Sequence, residues 1–388
     1  MAALFASVAL MNTAMVGAST AGTLVAADLY GPQWSGLPNA AGVLGTALGA
    51  LGTGAVMARR GRRVALLTMY CLATIGALVA FAGAVAAALL ALVAGMVLIG
   101  LGNGGAQLSR YVAAELYPAE RKGFALATIV WGGTVGALAG PALIAPAAAG
   151  AGWLRLPELS GPVLAAAVVI TAAVAATAAL PRAAGSGGVV RRAGLSLAAV
   201  GAALRRPAVS TPLAAMAGAQ VAMVAVMTMT PLQLHQHGHG LEVVAWVLSA
   251  HMIGMFALAP LSGRIADRWG GRATIRCGIG TLAVATLTAL AAPTAHTTGL
   301  PLALFLLGYG WNLVFVGGSS MLSRDLPAEE RAQLQGVVDA LVWGASAVAS
   351  LAAGQLFGTG GYGLVAVMAG LLAVAPLAAH ARRAEPPA

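Results

Sequence analysis

The sequence predicts an all-α integral membrane protein with twelve transmembrane helices in two six-helix, pseudo-symmetric halves. Three observations predict it. Of 388 residues, 60% are hydrophobic and 8% charged, about a third of the charged fraction of a soluble domain. Apolar runs of about 20 residues, the length that crosses a bilayer core, follow one another along the whole chain. The basic residues cluster in the short breaks between these runs. A soluble enzyme is thereby excluded, and no room remains for a sizeable domain outside the membrane.

The runs fall at 4–27, 37–58, 64–82, 88–112, 123–149, 160–180, 208–234, 241–263, 273–292, 300–322, 333–357 and 361–380. The first lacks a basic leader segment and a small-residue cleavage site, so it reads as a retained helix. Every second connection is basic: Arg59, Arg60, Arg62 and Arg63; Arg121 and Lys122; Arg182, Arg191, Arg192, Arg205 and Arg206; Arg264, Arg268 and Arg272; Arg324 and Arg331. Arg155 stands alone among the opposite connections. The positive-inside rule then puts both termini in the cytoplasm of a multi-pass bacterial inner-membrane protein. The net charge of +10 therefore reports topology. Its residues lack the interleaved aromatics of a nucleic-acid surface, and no nucleic-acid partner is expected. Cys71 and Cys277 lie in separate apolar runs without metal or disulfide spacing.

The stretch Gly185-Ser186-Gly187-Gly188, flanked by arginines, reads as a flexible linker, 182–207, between an N-terminal half, 1–181, and a C-terminal half, 208–388. The halves repeat. Gly54 to Arg63 aligns with Gly263 to Arg272 at an offset of 209, Pro118-Ala119-Glu120 with Pro327-Ala328-Glu329 at the same offset, and Val130-Trp131-Gly132 with Val342-Trp343-Gly344 at 212. Parallel six-helix repeats are the plan of transporters whose substrate site lies near the midplane.

The segment Gly263-Arg264-Ile265-Ala266-Asp267-Arg268-Trp269-Gly270-Gly271-Arg272 resembles the loop signature of the major facilitator superfamily, and the resemblance covers essentially the whole chain. It implies that superfamily's fold and a gating role for Asp267 and Arg268. The first copy departs from the signature, with Ala58 at the Asp position. Leu98 stands where many proton-driven members carry an intramembrane Arg. Asp339, early in the eleventh run, is expected to supply the missing acid by pairing with Arg59, Arg62 or Arg63 and closing the cytoplasmic side. Its alternative is an acid satisfied by neighbouring backbone.

Polar residues on the first, fourth, seventh and tenth runs are few: Asn12, Asn103, Gln107, Gln220 and Asn312. Sulfur stands out instead. Met223 and Met227 are one helical turn apart in the seventh run, and His251 and Met255 in the eighth. Measured from a turn centred near Gly238, Met223 and Met227 lie about 11 to 15 residues before it and His251 about 13 after it, at nearly the same depth. Thioethers with an imidazole form a soft site that favours Cu(I). Met11 and Met15 occupy the equivalent place in the first half at the 212 offset and are expected to face the second pair as further metal-binding residues, with plain packing as the alternative. Three alternating histidines, His235, His237 and His239, mark the outside turn as a place to capture metal, with an ordinary polar hairpin as the alternative.

Met-x-x-x-Met followed by His-x-x-x-Met on adjacent helices resembles the CcoA-like copper importers of that superfamily. The resemblance implies that Met223, Met227, His251 and Met255 bind metal, and that copper is imported for assembly of haem-copper oxidases. The expectation is a monomeric, non-enzymatic, alternating-access importer with copper as substrate, no resident cofactor and the lipid bilayer as its surroundings. The alternative is a proton-coupled efflux pump for drugs or amphipathic organic cations. A metal sensor that moves no metal is a third class.

Overall fold

The computed structural model describes residues 1–115, 122–180, 197–326 and 328–384. Among them the chain is helical throughout, without strands. In order the helices are α1 Ala2–Tyr30, α2 Gly36–Arg60, α3 Arg62–Val85, α4 Leu89–Glu115, α5 Lys122–Ala142, α6 Ile144–Trp153, α7 Ser160–Ala178, α8 Leu197–Leu204, α9 Pro207–Gln236, α10 Leu241–Phe256, α11 Ala259–Ala291, α12 Gly299–Asp325 and α13 Ala328–Ala384. Length and hydropathy mark ten candidate membrane spans among the described residues, with the bent pair α5–α6 counted once. Two of the ten, 51 and 43 residues long, far exceed the roughly 20 residues that cross a bilayer. Each divides at a glycine, Gly270 in α11 and Gly361 in α13, and twelve crossings result.

Proline decides where crossings break. The expected run 123–149 is bent by 45° between α5 and α6. Pro146 has no N–H for the carbonyl of Ala142, the last residue of α5. The expected run 241–263 is interrupted after Phe256, because Pro260, in the first turn of α11, likewise has no N–H for the Phe256 carbonyl. The second helix then runs on to the Gly270 turn, further than the apolar run reaches. Within the expected linker, the apolar segment Leu197–Leu204 forms the short helix α8, and residues 182–196 lie outside the described ones.

The repeat is written into the backbone. Gly61, between α2 and α3, has φ 82° and ψ 166°; Gly270, 209 residues later, has φ 83° and ψ 161°. Only glycine adopts this conformation without strain, so both copies of the basic turn depend on it.

The chain separates into two compact units, Met1–Val190 with Gly238–Trp246, and Arg191–His237 with Val247–Ala388. In the first, α4 packs on α2 and α3, and α1 packs on α5 and α7. Its core includes Leu4, Met11, Leu66, Tyr70, Met96, Ile99 and Ile170, all fully buried. In the second, α9 packs on α12 and α13, and α11 packs on α12. Inside a bilayer the hydrophobic effect does not drive helices together, so small residues that let backbones approach carry much of the association. Gly45 of α2 meets the Val97 carbonyl of α4, and Gly100 of α4 meets the Gly42 carbonyl. Gly254 of α10 meets the Phe305 carbonyl of α12, and Gly308 meets the His251 carbonyl. A side-chain carbon at any of the four would overlap its partner's backbone. Cys71 on α3 and Cys277 on α11 are both exposed free thiols, one in each unit.

Candidate functional site

His251 is fully buried on α10. Its Nδ1 lies 2.9 Å from the carbonyl oxygen of Leu304 on α12. A carbonyl only accepts, so Nδ1 carries the hydrogen and Nε2 keeps the lone pair. Nε2 is buried and has no hydrogen-bond partner among the described residues. One turn on, Met255 is buried, and its backbone carbonyl accepts a hydrogen bond from Asn312 Nδ2 at 2.8 Å. That carbonyl lies in the last turn of α10, where helical donors run out, so the Asn312 amide takes their place. Asn312 Oδ1 is buried and likewise lacks a partner among the described residues. His251 and Met255 are therefore both fixed to α12, at the close crossing that Gly254 and Gly308 permit.

Met223 and Met227 project from α9, the first buried and the second half-buried. Pro231, four residues after Met227, removes the N–H that would bond the Met227 carbonyl. The Thr230 hydroxyl bonds the Val226 carbonyl at 2.7 Å and the Tyr362 hydroxyl at 2.9 Å. One turn before Met223, Gln220 donates to Ser346 Oγ at 2.7 Å and accepts from Trp311 Nε1 at 2.6 Å. Trp311 is stacked on Phe315, with ring centroids 4.1 Å apart. Trp311, Ser346 and the Leu304 carbonyl were not visible as site groups in the sequence. The only sequence signal was the adjacency of Trp311 to the polar Asn312 within an apolar run.

In the other unit, Met11 is fully buried with its sulfur facing Gly102, and the Met15 methyl fills the space over Gly42. Back in the second unit, His235 lies in the last turn of α9, and His237, just past its end, donates from Nδ1 to the Gln233 carbonyl at 2.8 Å. His239 lies in the turn that follows Gly238, whose φ is 76°.

Of the expected gating residues, Asp267 pairs with Arg324 at 3.2 Å, joining α11 to α12. The Arg268 guanidinium lies 6.0 Å from the Trp269 ring centroid. Arg59 is exposed in the last turn of α2, Arg62 begins α3, and Arg63 donates to the Ala178 carbonyl at 2.6 Å, tying α3 to α7. Asp339 is exposed on α13 and belongs to the other compact unit from these arginines.

Two helical units, ten candidate spans of which two are double, and buried polar atoms with open acceptors at the α10–α12 crossing mark a polytopic membrane protein of the transporter class. The sequence profile of the Major Facilitator Superfamily matches residues 2–244 and 233–388, and the chain belongs to that family. It is 29% identical over 366 residues to the MFS-type transporter YddS of Bacillus subtilis strain 168, covering 92% of this chain and 84% of that one. It is also 29% identical over 326 residues to the riboflavin transporter RfnT of Brucella anthropi, covering 82% and 79% respectively. Its fold is similar to that of the xylose transporter XylE from E. coli in a partially occluded inward-open conformation, with TM-score 0.68, 15% identity and coverage of 99% and 97%.

Proposed function

We propose that this transporter imports copper ions across the cytoplasmic membrane by alternating access, through a site of Met223, Met227, His251 and Met255, and supplies copper for haem-copper oxidase assembly. The observation that carries the proposal is the buried Nε2 of His251, with Nδ1 bonded to a backbone carbonyl. Metal-bound histidines characteristically donate their other N–H in this way, which fixes the ring and leaves the lone pair for the ion.

The internal repeat supports the assignment of Met227. The α2–α4 and α10–α12 crossings correspond, and in them Gly42 takes the place of His251. Met15, the counterpart of Met227, rests its methyl over Gly42. In this reading the Met227 thioether serves the same crossing as the His251 ring, with Met255 one turn along α10. Neutral, soft ligands of this kind suit a monovalent copper ion that has to bind weakly and leave again. Met11 and Met15, seated over glycines, act in this reading as packing for the other unit. His235, His237 and His239 collect the ion at the outer mouth. Asp267, Arg268, Arg59, Arg62 and Asp339 work the cytoplasmic gate, both termini are cytoplasmic, and the protein acts as a monomer.

The test is copper accumulation over minutes in a copper-poor host expressing wild type, His251→Ala or Met227→Leu at matched membrane levels. Uptake by wild type and its loss in both variants is the expected result. Equal accumulation in all three and in the empty host overturns the proposal.

A second reading has an observation of its own. The half-buried Trp311–Phe315 stack, with the Trp311 N–H bonded to Gln220, offers an aromatic edge for a planar heteroaromatic substrate, and RfnT is named a riboflavin transporter. Trp311→Leu separates the two readings: it spares copper uptake if copper is the substrate and abolishes labelled riboflavin uptake if riboflavin is.

A further inference from the structure

We infer that the seam between α11 and α13 holds one anionic phospholipid, with its headgroup on Arg272 and Arg276 and an acyl chain in the apolar groove beyond them. The two arginines are one turn apart on α11, exposed on the same helical face. Both line a cleft with about 380 Å³ of empty space, closed by Thr211 of α9, Ile279 of α11 and Pro376 of α13. No acidic residue lines it. Among the described residues, neither guanidinium makes an ion pair or a side-chain hydrogen bond, while the acid of α11, Asp267, is engaged with Arg324. Arg276 follows the Gly270 turn by six residues, inside the apolar run. A fixed charge at that depth needs an anion or a route to the headgroup region.

The seam continues away from the arginines as a second groove, with about 670 Å³ of empty space, between Leu287 and Leu290 of α11 and Val367 and Leu371 of α13. Its four named side chains are between 40% and 64% exposed, an outward face that only lipid covers in a membrane. Ile279 to Leu290 spans about 16 Å at 1.5 Å per residue. Half of a hydrocarbon core about 30 Å thick has the same depth, so the groove accommodates one leaflet's acyl chain. The pattern of a positively charged mouth over an apolar channel of one leaflet's length matches a phospholipid better than a soluble anion, which has no use for the channel. On the orientation proposed above, the leaflet is the cytoplasmic one, where basic pockets between helices meet anionic headgroups.

The experiment is native mass spectrometry of the full-length protein in detergent, given equimolar phosphatidylglycerol and phosphatidylcholine with identical acyl chains. Wild type is expected to retain one phosphatidylglycerol in preference to phosphatidylcholine. Arg272→Gln/Arg276→Gln lowers that retention about thirtyfold, as expected for two arginine contacts. Arg205→Gln/Arg206→Gln, with the same loss of charge outside the cleft, leaves it unchanged. Val367→Trp keeps both arginines, fills the groove and lowers retention as well. Equal retention of the two lipids by wild type, or an effect of the Arg205/Arg206 variant as large as that of the Arg272/Arg276 variant, overturns the inference. So does displacement of the lipid by an equal concentration of glycerol phosphate, which would mark a site for soluble anions, and so does normal retention by Val367→Trp.

Discussion

The α2–α4 crossing of one unit and the α10–α12 crossing of the other are the same piece of backbone carrying different chemistry. In each, a glycine from one helix meets a carbonyl of its partner, and a glycine of the partner returns the contact. In the first crossing the position under the second glycine is Gly42, roofed by a methionine methyl, and the polar bond is Asn103 to the Thr46 hydroxyl at 3.2 Å. In the second it is His251, with an unfilled nitrogen and with Met255 one turn beyond. Glycine-to-backbone contact fixes how closely the helices approach, and it leaves neighbouring positions free to change. One unit keeps those positions for packing, and the other uses them to present an imidazole and a thioether.

The comparison breaks first at the glycines. Gly45→Val and Gly254→Val each drive a side chain into a partner carbonyl, and each is expected to cost on the order of 3 kcal/mol, read as a fall in thermal stability of the purified protein. Tolerance of either would mean that its crossing is looser than these glycine contacts imply. Next, Met255→Leu preserves shape and is expected to change stability by less than about 1.5 kcal/mol. If copper is the substrate, as proposed, it is expected to lower copper uptake at least about tenfold, since the proposed sulfur ligand is lost. Thr46→Val, in the corresponding turn of the other unit, leaves uptake at the wild-type rate; equal losses in the two variants would erase the distinction between the crossings. A smaller effect is expected for Asn312→Ala, which bares the terminal Met255 carbonyl at a cost of about 1 to 2 kcal/mol. Asn103→Ala costs less, since the Thr46 hydroxyl still bonds the Gly42 carbonyl. Smallest is Arg324→Gln: its ion pair with Asp267 has side chains 55% and 80% exposed, so less than about 1 kcal/mol is at stake, and less again at high salt.

Much of the fold was legible because the bilayer imposes a length and the turns carry the charge. The positions of Arg59 to Arg63 and Arg264 to Arg272 gave the crossings and the repeat, and the repeated Gly61 and Gly270 were visible as aligned letters. The breaks after Ala142 and Phe256 were not read, since a hydropathy run passes over Pro146 and Pro260, whose effect falls on a carbonyl four residues earlier. In the candidate site, the spacing of His251 and Met255 was plain in the sequence. The group that orients the ring was not, because the Leu304 carbonyl is backbone and every residue has one. Trp311 and Ser346 also escaped notice, since they join Gln220 only after three helices have packed.

The free thiols give the molecule an optical and magnetic handle that requires no engineering. Cys71 and Cys277 are exposed, and each unit holds one of them. A thiol-reactive nitroxide that partitions into lipid is expected to label wild-type protein once per unit, and pulsed electron spin resonance reads the distribution of distances between the labels. On the alternating-access reading proposed above, that distribution has at least two populations, and a transported substrate changes their weights. The native sequence thus carries its own ruler for the motion on which transport depends.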